Sequence, residues 1–403
     1  MTTKMLALED IEPEGKTVLL RVDMNTPVDP TTGKLMELNR IAEASVTIRD
    51  LRRSKVVVAS HQGRVGRNDF ISLEQHAAAL SKLLGNKVRF VDDIFGPTAR
   101  EAIASLSEGE VLLLDNLRLA AEENQEFTPK DAANTVMVQR LYKQFDAFVL
   151  DAFPTAHRSS PSIVGFAELL PTCGGRLVAK ELKALNRILT IAKGIYTTVL
   201  GGAKISDRLE AIDTLIENKR ADKVLLTGLI ANIFLQASDQ IKEPLGIPSE
   251  DKYLKKAKQL LADYPGVFEL PVDIAIQENG SRLEIPVRDL KSGQTILDIG
   301  SRTIDSYSRI IRGSGTVFMS GPPGYFENPD FGKGTEELLR AMASSLGTTI
   351  ISGGHLTAAL ERYGVREWID HVSTAGGALV LFLAGKKLPL FEALDRAARR
   401  NSQ

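Results

Sequence analysis

The amino-acid sequence predicts an α/β protein built from two doubly wound parallel-sheet, Rossmann-like domains joined by a hinge helix. Three observations carry this expectation. Short apolar, β-branched runs recur at 17–22, 56–60, 88–91, 111–114, 147–150, 197–200, 224–227, 296–299, 317–319 and 348–351, and they read as buried parallel strands. Helix-period segments at 38–53, 72–84, 129–143, 206–218, 251–261 and 335–345 lie between them, several opened by Ser, Thr, Asp or Pro, so strand and helix alternate. About ten strands exceed what one compact sheet of this type usually carries, which makes two sheets the simpler arrangement.

The alternation breaks at 166–176, where Pro171, Gly174 and Gly175 precede a long helical pattern over 177–192. The expected division is therefore a first domain over 1–170, a linker and hinge helix over 171–192, and a second domain over 193–385. A second irregular stretch, 269–287, carries Pro271, Gly280 and Pro286 and alternates apolar with polar residues at its end, as an inserted hairpin would.

Composition narrows the function. The chain has 403 residues, 43% hydrophobic and 25% charged, too much apolar material for a disordered protein. Lys and Arg total 50 against 51 Asp and Glu, so net charge gives no sequence-wide attraction to nucleic acid or anionic lipid. No apolar run approaches the roughly 20 residues of a membrane span, and residues 1–10 lack the pattern of a signal peptide. A soluble, cytoplasmic protein is expected. The lone cysteine, Cys173, excludes an intrachain disulfide framework and fits a reducing compartment.

Ligands of doubly wound folds bind beyond the carboxyl ends of the strands. In the first half those ends are basic. The run 17–22 carries Arg21 and leads into Asp23, Asn25 and Pro27; 56–60 is followed by His61, Gly63 and Arg64; 111–114 by Asn116 and Arg118; 147–150 by Asp151, Phe153, His157 and Arg158, and Arg40 opens the first helix. Arginine presents a planar fork of donors that matches carboxylate or phosphate, so this rim suits a small, highly anionic substrate.

In the second half the same places are rich in glycine. Gly201-Gly202-Ala203-Lys204, Gly321-Pro322-Pro323-Gly324, Gly353-Gly354 and Ser373-Thr374-Ala375-Gly376-Gly377 all follow or flank apolar runs. Glycines allow close backbone approach and leave amide hydrogens free at helix starts, which is how proteins hold phosphates. Neither a Walker loop nor a dinucleotide fingerprint is present. An anion rim on one domain and a phosphate site on the other suggest phosphoryl transfer across a cleft by a hinge enzyme.

These residues also resemble a family. Arg21-Val-Asp-Met-Asn-Thr-Pro27, Ser60-His-Gln-Gly-Arg64, Asp115-Asn-Leu-Arg118, Asp151-Ala-Phe, Ala156-His-Arg158, Gly201-Gly-Ala-Lys-Ile-Ser-Asp207, Leu270-Pro-Val-Asp273, Asp298-Ile-Gly300, Gly321-Pro, Gly324-Tyr-Phe-Glu327, Lys333-Gly-Thr335 and Ser373-Thr374 stand in the order and spacing of phosphoglycerate kinases, over nearly the whole chain. The resemblance implies the reversible transfer of a phosphoryl group between 1,3-bisphosphoglycerate and ADP, giving 3-phosphoglycerate and ATP, with magnesium, in glycolysis and gluconeogenesis. It implies a phosphoglycerate site at Asp23, Asn25, Arg40, His61, Arg64, Arg118 and Arg158, with Arg40 as the catalytic arginine. It implies a nucleotide site at Gly201, Gly202, Ala203, Lys204, Gly321, Pro322, Glu327, Gly353, Gly354 and His355, with Lys204 and Arg208 on the phosphates and Gly376 and Gly377 facing the transferring group. The last segment, 386–403, resembles the tail that returns to complete the first domain. No nucleic acid or membrane partner is implied, and a monomer is expected, with a dimer as the alternative.

Departures from the pattern locate open questions. Met319-Ser320-Gly321-Pro322 replaces the family's common Trp-Asn-Gly-Pro, Ala375 replaces a glycine, and His355 stands where a magnesium-binding aspartate is usual, as on the archaeal branch. The metal ligands are thus unassigned, and magnesium can be held mostly by nucleotide phosphates and water. Two rivals remain at this stage: a two-domain dehydrogenase, and a binding protein that keeps the fold without turnover. His76, His371 and Cys173 are expected to be structural, and Glu122, Glu123 and Glu126 are expected to form a solvated acidic run.

Overall fold

The computed structural model describes residues 4–191, 194–242, 244–373 and 375–400; the side chains of 187–191 and Asp207 lie outside the description, as do Thr374 and Ala192 of the segments named above. The chain forms two compact units, the first comprising Met1–Asn186 with Lys387–Gln403 and the second Arg187–Lys386.

The first unit is built on a six-stranded parallel sheet of β1 (Thr17–Val22), β2 (Lys55–Ala59), β3 (Val88–Val91), β4 (Val111–Leu114), β5 (Ala147–Asp151) and β6 (Thr172–Gly174), in the order β3-β4-β2-β1-β5-β6. Consecutive residues of β1, Val18, Leu19 and Leu20, are all buried, so both faces of the sheet are covered, as an all-parallel sheet requires. Val18, Leu20 and Val22 pack with Ile41 and Ile48 of helix Asn39–Asp50 and Leu80 of helix Glu74–Leu84. The stretch 166–176 is therefore not irregular throughout, because Thr172–Gly174 pairs with β5 as the last strand. Helix Pro389–Arg400 belongs to this unit: Phe391 lies 5.9 Å from Phe153, and Arg396 donates to Glu168 at 2.8 Å.

The second unit holds β7 (Tyr196–Leu200), β8 (Lys223–Leu226), β9 (Phe268–Glu269), β10 (Asp273–Glu278), β11 (Ser281–Pro286), β12 (Ile296–Ile299), β13 (Thr316–Ser320), β14 (Thr348–Ser352) and β15 (His371–Ser373). Six of these form a parallel sheet in the order β15-β14-β13-β7-β8-β9, and β11-β10-β12 form a separate three-stranded sheet. The expected hairpin is β10 with β11. The expectation for 296–299 needs correction, however: β12 is no parallel strand but runs antiparallel to β10, with Ile274 opposite Ile299. Its apolar pattern is the same in either sheet, so burial alone could not tell them apart.

One expected helix is also broken. The segment 129–143 divides into helices Pro129–Ala133 and Val136–Leu141, because Thr135 is extended and restarts the chain with Gln139 N bonding Thr135 O at 3.0 Å.

Candidate active site

Each strand order reverses beside the first strand of its unit. In the first unit β1 lies between β2 and β5, and in the second β7 lies between β8 and β13. Such switch points open a crevice at the carboxyl ends of the strands.

At the first of them, three loops are knitted by buried amides. Gln62 Oε1 accepts from Thr26 N and its Nε2 donates to Thr26 O, both at 2.9 Å. Asn116 Oδ1 accepts from Gln62 N at 3.1 Å and its Nδ2 donates to Gln62 O at 2.8 Å. The loops after β1, β2 and β4 thus have a fixed mutual geometry, and the ionic side chains ride on it.

Those side chains converge. Arg40 Nη1 donates to Asp23 Oδ1 at 2.9 Å, with the carboxylate fully enclosed. Asn25 N donates to Asp23 Oδ1 at 3.0 Å, while Asn25 Oδ1 accepts from Gly63 N at 2.9 Å. Arg118 donates to Gly63 O. Burial raises the Asp23 pKa, but the charges of Arg40 and Arg21, with the hydrogen bond from the Asn25 amide, overcome it and bring it down to about 2. His61 is buried, and burial, together with Arg21, Arg118 and Arg40, holds its pKa well below the usual histidine range despite Asp23. It is neutral at neutral pH. Arg118 is pulled below its ordinary value by burial and then by the like charges of Arg21 and Arg158.

Two expected members stand further out. Arg64 is exposed, and Arg158 Nε pairs with Glu126 at 3.4 Å. Arg158 still adds its field to Arg118.

Of the acidic run Glu122, Glu123 and Glu126, expected to be solvated, only Glu126 is exposed. Glu123 is buried and accepts from Ser160 Oγ at 3.0 Å, Ser162 N at 3.0 Å and Ser162 Oγ at 2.5 Å. Glu122 accepts from the amides of Val136 and Met137 at the start of helix Val136–Leu141. A short helical turn at Ala121–Asn124 sends neighbouring carboxylates in different directions, which a count of charges does not show. Asp115 and Asp151, which also follow strands, are structural: Asp115 accepts from Leu73 N at 2.8 Å and Asp151 from Val178 N at 2.9 Å, at two helix starts. His76 meets Gln62 Oε1 at 3.2 Å, and burial lowers its pKa to about 4, while Cys173 is a core residue of β6 whose thiol burial pushes upward.

At the second switch point the glycines serve a backbone crossing. Gly201 N donates to Ser320 O at 2.9 Å and Gly202 N to Pro322 O at 2.8 Å. A Cβ on Gly201 would come within 2.4 Å of Thr227 Oγ1, and one on Gly321, whose φ is +84°, within 2.3 Å of Gly201 O. The Gly201 and Gly202 amides are therefore engaged by carbonyls and not left free, which corrects the expectation that both would be available to a phosphate. The chain turns there into helix Ile205–Glu217, with Ala203 and Lys204 exposed at its start. Arg208 is buried and donates through Nη1 to Lys204 O at 2.6 Å and through Nε to Ser320 O at 3.4 Å.

Gly353, with φ +107°, and Gly354 open helix Gly354–Tyr363 at the end of β14, and there His355 Nε2 lies 4.0 Å from Glu327 Oε1, both exposed. Pro322 lies in the loop after β13. Gly376 and Gly377 open helix Gly377–Leu383, and Ser352 Oγ donates to Ala375 O at 2.5 Å. Asp273, Asp298 and Lys333, all within matched motifs, are structural. Asp273 accepts from the amides of Arg302 and Thr303, Asp298 binds Arg282 at 2.9 Å and Gly334 N at 2.8 Å, and Lys333 Nζ meets Ser301 Oγ at 2.8 Å.

Two doubly wound units, one with a cation-lined rim and one with glycine-shaped loops before helix starts, define the class of two-domain phosphotransferases. Comparison with known proteins names the family. The model of the phosphoglycerate kinase family matches residues 8–386. The phosphoglycerate kinase of Methanothermobacter thermautotrophicus is 43% identical over 98% of this chain and 97% of its own length, and that of Sulfolobus acidocaldarius 42% over 96% and 95%. The crystal structure of phosphoglycerate kinase from Pyrococcus horikoshii covers 98% of this chain and 100% of its own, at a TM-score of 0.89 and 38% identity. This chain belongs to the phosphoglycerate kinase family.

Proposed function

We propose that this chain catalyses the reversible transfer of a phosphoryl group between 1,3-bisphosphoglycerate and ADP, giving 3-phosphoglycerate and ATP, and that the work is divided between its units. The first unit takes the phosphoglycerate through Asp23, Asn25, Arg40, His61, Arg64, Arg118 and Arg158. The second takes the nucleotide through the segments at Gly201–Lys204, Gly321-Pro322, Glu327, Gly353–His355 and Gly376-Gly377, with Arg208 fixing the backbone of Lys204. The observation that carries this reading is the convergence of Arg21, Arg40, His61 and Arg118 at one switch point, on loops locked together by Gln62 and Asn116. Guanidinium groups gathered in this way match a carboxylate or a phosphate.

In the direction that consumes ATP, a carboxylate oxygen of 3-phosphoglycerate attacks the γ-phosphorus, the bond to the β,γ-bridging oxygen breaks, and ADP leaves with that electron pair. The carboxylate is already ionised near neutral pH, so no general base is required. What the chain must supply is positioning and cationic charge, which Arg40 and Lys204 provide. Among the described residues no cluster of three or more His, Cys, Asp or Glu could hold a metal ion, so those residues offer magnesium no cage of their own. The ion would arrive bound to the nucleotide phosphates and water.

We further propose that the enzyme acts as a monomer, with a dimer as the alternative, and in the cytoplasm, where the lone buried Cys173 stays reduced. No described helix is long and apolar enough to cross a membrane. A coupled assay with ATP and 3-phosphoglycerate, with and without magnesium, tests the activity; oxidation of added NADH without ATP, or binding of both ligands without turnover, would replace this reading. Sedimentation tests the oligomeric state.

A further inference from the structure

We propose that Glu123 is a positioning residue for the anion rim: acting through Arg21 and Ser162, it fixes the His61 ring with Nδ1 as acceptor and Nε2 as the nitrogen that carries the hydrogen. This rests on the reading that the first unit takes the phosphorylated acid.

The geometry is a chain of directed bonds. Arg21 is 2% exposed and Glu123 is 4% exposed, so neither charge is relieved by water. Glu123 Oε1 lies 3.8 Å from Arg21 Nη2 and accepts from Ser162 Oγ, and Ser162 Oγ accepts from Arg21 Nε at 2.8 Å. The serine hydroxyl has one hydrogen. Because it gives that hydrogen to Glu123, its lone pair must face Arg21, so the direction of the relay is set by the carboxylate. Arg21 also donates to Val22 O, which leaves Nη2 aimed at His61 Nδ1 at 3.3 Å. A guanidinium can only donate, so Nδ1 must accept and the neutral ring carries its hydrogen on Nε2.

The charged groups facing His61 are Asp23, Arg21, Arg118 and Arg40, and Glu123 and Asp23 are the carboxylates that act on Arg21. Asp23 is already bound to Arg40. Glu123 is thus the carboxylate that keeps Arg21 directed at the histidine instead of turning to Asp23. Its role in the field alone would be the opposite: as a negative charge near an anion site it would weaken binding, and its removal would tighten it.

The test uses the full-length protein labelled with 15N-histidine. Two-bond 1H–15N spectra distinguish the two neutral tautomers. His61 of the native protein should show the Nε2–H tautomer and should respond to 3-phosphoglycerate; no response at all would sink the reading of the rim as the acid site, separately from the present proposal. In Glu123→Gln, a near-isosteric change that removes the charge, His61 should become a mixture of tautomers. The KM for 3-phosphoglycerate should rise about tenfold or more, with the KM for ATP unchanged. Ser162→Ala, which cuts the relay without burying a new polar group, should act in the same direction and carries the test if Glu123→Gln fails to fold. An unchanged His61 tautomer in the folded variants, or a KM for 3-phosphoglycerate that stays the same or falls, overturns the proposal.

Discussion

In the proposed reaction, Arg40 is the residue on which the chemistry would depend most. It bridges Asp23 on one side and is the arginine expected on the transferring group, so Arg40→Ala should lower turnover by about a hundredfold or more while the sheet and its amide-knit loops persist. Steady-state kinetics with a thermal melt would check both halves. The same pair makes a statement about acid. Asp23 has its pKa depressed from 3.8 to about 2, so it contributes stability above pH 4 that is lost as pH falls from about 4 toward 2, on the order of 2 kcal/mol. Arg40→Ala removes the largest charge holding that value down against burial. The acid transition of the variant, followed by circular dichroism, should move to higher pH; an unmoved transition would mean that Arg21 and the Asn25 amide suffice to hold the carboxylate. Residue identity announced the basic rim, but it did not announce Glu123, because an acidic run in a polar segment has the composition of a solvated loop. Only its enclosure by Ser160, Ser162 and Arg21 marks it.

At the scale of elements, the strand-to-helix turns decide which glycines matter. Gly321 has positive φ and no room for a side chain against Gly201 O, so Gly321→Ala should destabilise the second unit by about 2 kcal/mol or more and weaken ATP binding. Gly354 has an ordinary φ and nothing within 4 Å of the position a Cβ would take, so Gly354→Ala should leave the melting temperature nearly unchanged. Paired melts and nucleotide titrations of the two variants give the contrast. In the sequence these two glycines look alike, each in a short glycine-containing motif after an apolar run. They differ because Gly321 lies at the β7–β13 switch point, where two backbones cross, and Gly354 opens a helix at the end of β14. The broken helix at 129–143 and the antiparallel β12 have the same origin: local pattern specifies that a segment is buried, and neighbours in space specify how.

For the whole molecule, the chain leaves the first unit and returns to it. Helix Pro389–Arg400 buries Leu390, Phe391 and Leu394 in that unit, so Phe391→Ala should cost about 3 kcal/mol of its stability and lower affinity for 3-phosphoglycerate. ATP binding should be unaffected. Hydrogen exchange would read the same division in the native protein: 3-phosphoglycerate should raise protection at 21–26, 60–64 and 115–118, and ATP at 200–208 and 320–324. Protection by one ligand spread equally over both sets would contradict the assignment of one ligand to each unit.

The sequence by itself determined the strand and helix alternation, the two-sheet class, the basic and glycine-rich strand ends and the family, because each is written in local composition or in the order of short motifs. The tertiary structure decided everything that depends on who meets whom. It turned Asp115, Asp151, Asp273 and Asp298 from possible chemistry into anchors for backbone amides, and it placed Glu123 behind Arg21. It also showed that Gly201 and Gly202 give their amides to Ser320 and Pro322. The physical reason is that a carboxylate or an amide has no role until its partner is in place. Partners separated by 27 residues, as Asp151 and Val178 are, or by 120, as Gly202 and Pro322 are, are brought together by packing and not by any pattern along the chain.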